Sequence, residues 1–283
     1  MSRHFQSPLF DRRQDTDDVG QFAAPQRDYD EQFAAFWPLY ERRPIKDNDG
    51  GCQLPHLFAL WVYLNESRPT HVIESGVWKG QTTWLIEAAV PDAQILAIDP
   101  APQRRKWTSR RATYSTLDFG FQDLSLFPPR TTLVFFDDHV HAWLRLTQVR
   151  AWGFRHVVFD DNYPDGVGDP SIRQILRGNP AGKPAGLKNR IKRAARRIVS
   201  RQEIAVLETY SPLVLRKALL RLLIGYSEFP PLAVGETTRW GTRWRDSFGD
   251  VKPCLDPEKL TGAQRDEVNR TSAGYTAMCM LSL

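Results

Sequence analysis

The residues best able to do chemistry fall in two short stretches, "TTLVFFDDHVHAW" (131–143) and "RHVVFDDNYPDG" (155–166). Each runs an apolar segment into a pair of aspartates. Asp137-Asp138 is followed by His139 and His141, and Asp160-Asp161 by Asn162 and Tyr163. Carboxylates crowded at strand tips repel one another, so the pattern predicts either a bound cation or a proton-handling role. The competing reading is a pair of turns, because Asp and Asn favour such positions. A third cluster, "IESGVWKGQ" (73–81), supplies Glu74, Gly76 and Gly80. Glycines there allow a tight turn and a close approach of the backbone to a ligand, ahead of a helix whose first amides face it. Asp99 closes the next apolar run, "ILAI". An acid at that place can take both hydroxyls of a ribose, or simply cap a helix.

To converge, these groups must share one end of a sheet. "THVIESG", "AQILAIDP", a short piece of "RRATYSTLDFG", "TTLVFFDD" and "RHVVFDDNYP" read as strands, with "GQTTWLIEAAV" and "AWLRLTQVRAWG" as helices between them. That alternation predicts a mostly parallel α/β sheet with helices on both faces. Ligands in such sheets sit outside the carboxyl ends of the strands, where all the clusters above fall. Upstream, residues 1–30 read as a flexible polar arm. "DEQFAAFWPLYERRP" and "LPHLFALWVYLNES" then form a helical extension over 31–69. Phe36, Trp37 and Tyr40 of its first helix read as core, with closure over the site as the alternative. Residues 70–283 form the main domain. After Pro164, "PSIRQILR", the basic stretch near 183–201 and "EIAVLETYSPLVLRKALLRLLIGY" (203–226) read as helices, and "YTAMCMLSL" as a closing strand.

Hydrophobic residues make up 41% of the 283, enough for one substantial core. No apolar run approaches the ~20 residues of a membrane span. The first residues carry acids and no apolar secretion core, and Cys52, Cys254 and Cys279 show no paired spacing. Together these predict a cytoplasmic protein without a disulfide framework or a thiolate metal site. The net charge of +5 resides in one element, "KPAGLKNRIKRAARRIVSR", which contains no acid. It reads as an amphipathic helix with solvated cations, or as a lid for an anionic acceptor. Nucleic acid is not the expected partner, for want of interleaved aromatics.

"VIESGVWKGQTTWLIEAA" resembles the first motif of class I S-adenosylmethionine methyltransferases. It is especially similar to the metal-dependent sugar O-methyltransferases of the macrocin and novobiocin type, whose motif runs E-x-G-V-W-R/K-G. "DFGFQDLSL" (118–126) and "FFDDH…VVFDDNY" resemble further segments of that family in order and spacing. The resemblance spans about residues 70–165 and implies a Rossmann-like fold with N- and C-terminal helical extensions. It also implies a cofactor site of Glu74, Gly76, Val77, Trp78, Gly80, Thr82, Asp99 and Phe121 around S-adenosylmethionine. Asp137, Asp160 and Asp161 match the family's ligands for Mg2+ or another divalent cation. Asp138 stands where the family has glycine, and His139 where it has an acidic candidate base.

The implied chemistry is coherent. Magnesium takes oxygen ligands and leaves room for substrate oxygens. A metal-held hydroxyl is acidified, and His139 could take its proton near neutral pH, beside Asp137. The expected activity is O-methylation of a small hydroxylated acceptor, a sugar or glycoside first, with an anionic acceptor matching the basic element. The rivals are a metal-independent methyltransferase on another acceptor, RNA included, and a cofactor-binding module without catalysis. A homo-oligomer is compatible with the sequence.

Overall fold

Periodicity in the chain becomes a seven-stranded sheet in the computed structural model, which describes residues 27–179 and 211–283. Most of the expected N-terminal arm and the whole basic stretch 183–201 lie outside the described residues. The strands are β1 (His71–Ser75), β2 (Gln94–Ile98), β3 (Ala112–Ser115), β4 (Thr132–Phe136), β5 (His156–Phe159), β6 (Gly225–Glu228) and β7 (Cys279–Ser282). Their order is β3-β2-β1-β4-β5-β7-β6, with β7 antiparallel to both neighbours and all other pairs parallel. This is a Rossmann-like, doubly wound arrangement closed by an antiparallel strand. Strand order reverses between β1 and β4, so the ligand crevice of such a sheet opens above those two strands.

Helices cover both faces, as the doubly apolar strands require. Alternate strand residues divide between two cores. Val72, Ile95, Leu133, Phe135, Val158 and Met280 face α1 (Tyr29–Glu41), α2 (Leu54–Ser67) and α3 (Gln81–Ala89). Ile73, Leu96, Val134, Phe136, Val157 and Leu281 face α4 (Ala142–Ala151), α5 (Ile172–Leu176) and α6 (Pro212–Leu222). Two further helices, α7 (Trp244–Phe248) and α8 (Gly262–Ser272), complete the described chain.

The helical extension is continuous with the first core. Phe33 and Phe36 of α1 are buried against Phe58 and Trp61 of α2, and the buried Tyr40 packs on Phe36, which places all three in the core and removes Phe36 and Tyr40 from any lid. α2 starts with Pro55 in its first turn, where a missing N–H costs nothing, and stops at Arg68 in a left-handed conformation.

One element departs from the sequence reading. The expected helix through Tyr226 ends at Leu222, and Gly225–Glu228 is a strand. A short apolar run such as "LLIGY" cannot be assigned by periodicity alone. Its pairing with β7, Tyr226 opposite Leu281, decides the outcome.

Candidate functional site

Register brings the strand tips level. Ser75 pairs with Phe136, and Phe136 with Phe159, so Gly76, Asp137 and Asp160 are the first residues beyond β1, β4 and β5. The ladders continue one step further: Asp137 N–H donates to Ser75 O at 2.8 Å and Asp160 N–H to Phe136 O at 3.0 Å. Gly76, at φ 103°, lies so close to β4 that a Cβ would stand 2.2 Å from Asp137 O. Gly80, at φ 94°, opens α3 under the same constraint from Trp107 O at 2.3 Å. These positions demand glycine for conformation and for space.

The loop between the glycines is held by Asp99. Its Oδ2 accepts the N–H groups of Val77 (3.2 Å) and Trp78 (2.7 Å), and its Oδ1 that of Ala101 (2.7 Å). Trp78 sits at φ 51°, an unusual conformation for a bulky residue, and these bonds keep it there. A carboxylate has about four acceptor sites, so Asp99 retains one for a further hydroxyl. Glu74 is fully buried. Thr82 and Thr83 of α3 donate to its two oxygens, and burial raises its pKa to about 7. Phe121 ends a 3-10 turn at Phe119–Phe121 and is 63% exposed.

Observations of this loop fit a polar cofactor. No side chain caps the N-terminus of α3, so its first amides are available to an anionic group. Asn48 Oδ1 and Gln81 Nε2 are buried without a hydrogen-bond partner. The 47–51 turn is stitched onto the glycine loop, with Trp78 Nε1 donating to Asp49 O (3.1 Å) and Lys79 Nζ to Asp47 O (3.0 Å).

The four aspartates part company. Asp138 turns away to accept from Ser75 Oγ (2.6 Å) and Arg145 Nε (2.9 Å). Arg145, only 1% exposed, also forks onto Asp118 at 2.9 and 2.6 Å, which ties the β4 tip to the 118–121 turn. Asp161 pairs with His139, whose Nδ1 lies 2.9 Å from Oδ2, and it accepts from Thr276 Oγ1 at 3.3 Å. The Asp161 carboxylate pushes His139 up to about 10, so this imidazole carries its proton at neutral pH. Burial works against charge on Asp161, but His139 prevails and holds it below the ordinary value.

Asp137 and Asp160 remain, and they meet Cys52. The thiol lies 3.6 Å from Asp137 Oδ2 and 3.3 Å from Asp160 Oδ1. His56 Nδ1 is 3.4 Å from the same Asp160 oxygen. Burial and the charge of Asp161 raise both carboxyls, and Asp160 adds to the rise of Asp137, which stands well above the usual range. Burial and the same acids raise the Cys52 thiol. Two buried acids with depressed acidity mark a place prepared for added positive charge.

The acids expected to act together sort into two neighbouring sets, Asp137 and Asp161 with His139, and Asp160 with Cys52 and His56, each with its ligand atoms within 4.8 Å of one another. The three carboxylates suit a divalent cation in charge. As a magnesium site the arrangement is less suited, since magnesium seeks oxygen and a thiol and an imidazole stand among the donors. His141 does not join them. It caps α4, its Nδ1 accepting Trp143 N–H at 3.2 Å, and burial lowers it to about 4. Near α7, Trp244 is buried with Phe248 and Tyr275, whereas Trp240 packs edge-on against Tyr163.

Cys52, His56 and Arg145 escaped the sequence reading. A search for Cys pairs finds nothing here, but Cys-x-x-x-His at a helix start, after the "DNDGG" turn, was a usable signal.

No protein-family model matches the sequence, and no curated protein does. Among solved structures it is similar to the O-methyltransferase TomG from Streptomyces achromogenes, involved in tomaymycin synthesis and in complex with SAM. Identity there is 10%, over 92% of this chain and 91% of that one, with a TM-score of 0.40. It is similar also to the SAH-bound Podospora anserina methyltransferase PaMTH1 (11% identity, 89% and 87% coverage, TM-score 0.37). A third likeness is to CmcI-N160 with SAH (16%, 54% and 80%, TM-score 0.36). These likenesses are distant, and the fold assignment rests on strand order and register.

Proposed function

We propose that the chain is an S-adenosylmethionine-dependent O-methyltransferase, assisted by a divalent cation, acting on a small hydroxylated acceptor of the sugar or glycoside class. The observation that carries the reading is the level register of β1, β4 and β5, which sets Asp137 and Asp160 at adjacent strand tips beside the glycine loop, with Asp137, His139 and Asp161 within 4.8 Å of one another.

Glu74, Gly76, Val77, Trp78, Gly80 and Thr82 form the cofactor-facing loop in this reading, with Asp99 toward a ribose and the exposed Phe121 beside the adenine end. The cofactor supplies an electrophilic methyl group, and a cation at the aspartates lowers the pKa of an acceptor hydroxyl. The protein's own work is orientation and proton handling. Asp137 and Asp160 hold the reacting end in register with the glycine loop. His139 starts as an imidazolium paired to Asp161. It becomes a competent base when the negative charge around it is drawn elsewhere, that of Asp161 first and those of Asp137 and Asp169 after it, because these acids together keep its pKa above the working range.

The test is methyl transfer from labelled S-adenosylmethionine to a panel of glycosides, run with and without EDTA. Transfer that EDTA abolishes supports the whole reading. Transfer that EDTA leaves untouched removes the cation. Cofactor binding without transfer to any acceptor leaves a binding module, and no binding at all ends the proposal.

A further inference from the structure

The resemblance points to magnesium, whereas the side chains nearest Asp160 point to a softer ion. Cys52 lies in the turn that precedes α2, His56 in the first turn of α2, and Asp160 at the tip of β5. All three are buried, and their ligand atoms lie within 4.8 Å of one another. We propose that Cys52, His56 and Asp160 form a tetrahedral site for zinc or a zinc-like divalent cation, with its fourth position open beside Asp137. The proposal rests on the divalent-cation part of the reading above, not on methyl transfer itself.

The spacings carry the argument. Zinc bonds of about 2.3 Å to sulfur and about 2.1 Å to oxygen or nitrogen, at tetrahedral angles, separate S from O by about 3.6 Å and N from O by about 3.4 Å. Here Cys52 Sγ is 3.3 Å from Asp160 Oδ1, and His56 Nδ1 is 3.4 Å from that oxygen. Adjacent oxygens around an octahedral magnesium would stand only about 2.9 Å apart. The second carboxylate also fits: Asp137 Oδ2 is 3.6 Å from the sulfur, next to the position a substrate or water oxygen would occupy.

Charge agrees with geometry. A thiolate and one carboxylate neutralise a divalent ion, which makes the buried set electrically neutral once the thiol proton leaves. Binding sends the thiol proton to solvent, together with any proton the Asp160 carboxyl carries. His56 can ligate through Nδ1 if its proton sits on Nε2, and Thr276 Oγ1, 3.2 Å from Nε2, can accept it there. The Thr276 N–H, 3.3 Å from the same nitrogen, favours the opposite tautomer before the ion arrives, so loading moves the imidazole proton from one nitrogen to the other. Around Cys52 the backbone is already fixed, with Asn48 Nδ2 donating to its carbonyl at 2.9 Å and Gln53 Nε2 to Asn48 O at 2.8 Å. The same turn is fastened to the glycine loop through Trp78 and Lys79, so ion and cofactor sites share one scaffold.

Cobalt(II) is the probe, because a thiolate ligand gives it a sulfur-to-metal charge-transfer band and four-coordination gives it strong visible absorption. The full chain, stripped with EDTA, should take up one equivalent with both features, and zinc should displace it. Cys52→Ser should lose the charge-transfer band. X-ray absorption of the unmodified, zinc-loaded chain should show one sulfur at about 2.3 Å, so the inference stays testable should the variant fail to fold. A weak six-coordinate cobalt spectrum, a band that survives Cys52→Ser, or a zinc shell without sulfur overturns it. EDTA-sensitive methyl transfer restored by magnesium, with no sulfur in any metal shell, would sink this inference and leave the proposed function standing. Failure to bind any divalent ion would remove the cation from both.

Discussion

Glu74 offers the sharpest quantitative test of the site's electrostatics. It is fully buried at the tip of β1, its oxygens accept from the hydroxyls of Thr82 and Thr83, and burial, opposed by these bonds and by the charge of Arg105, raises its pKa from 4.5 to about 7. Between those values the folded protein holds a proton that the unfolded chain has released. Stability from this group is therefore complete below pH 4.5 and declines as pH rises through 7. The difference of 2.5 in pKa corresponds to about 3 kcal/mol at 1.36 kcal/mol per unit. Glu74→Gln mimics the protonated carboxyl and removes the titration. Urea unfolding at pH 5 and pH 8 should show wild type losing most of that amount relative to the variant, and the variant should be the more stable at pH 8. Parallel stability profiles for the two proteins would refute the reasoning, because they would mean Glu74 ionises in the fold as freely as in water.

Three further outcomes are expected. Arg145→Met strands Asp138 and Asp118 without their cation and should destabilise by about 3 kcal/mol in chemical denaturation, the low end for a broken buried pair because Asp118 is partly exposed; Arg145→Lys should recover only part, since it cannot fork. Asp161→Asn should drop the His139 titration from about 10 toward 6.5 in an NMR pH series, and with it the stability that this pair contributes below 6.5 and loses as pH passes 10. Gly76→Ala, which forces a Cβ to 2.2 Å from Asp137 O, should weaken cofactor and cation binding together in calorimetry, whereas Gly166→Ala, with nothing within 4 Å, should incur only the ~1–2 kcal/mol of its left-handed backbone.

What was legible in the sequence follows from what each signal measures. Apolar runs that end in Asp137, Asp160 and Asp99 fixed strands and tips together, because a doubly covered parallel strand has no other appearance and its polar residues can only lie beyond it. Gly76 and Gly80 were legible because their backbone allows no substitute. Partners across space were not. The sequence gives no reason to join Arg145 to Asp138 and Asp118, since a charged residue in an amphipathic helix is ordinarily solvated. Cys52 and His56 belong to the helical extension, which looks like an appendage until its apolar faces prove to be half of the first core. β6 was hidden because its pairing with β7, and not its own period, makes it a strand.

The four aspartates explain why that extension matters. Two of them have cations from the sheet's own helices and turns: Arg145 answers Asp138, and His139 answers Asp161. No arginine or lysine hydrogen-bonds Asp137 or Asp160 among the described residues; apart from His139 near Asp137, the polar side chains that face them come from α2 and the turn before it. Cys52 and His56 are soft donors held 3.3 and 3.4 Å from a raised carboxyl, an arrangement that gains little as a hydrogen-bond network, since a thiol is a weak donor. Replacing the pair with apolar residues of similar volume would relieve two acids of awkward neighbours and should therefore stabilise the protein without divalent ions. If these donors serve an ion, a Cys52→Val, His56→Leu double variant should gain stability in EDTA and lose the stabilisation that added zinc gives the unmodified chain.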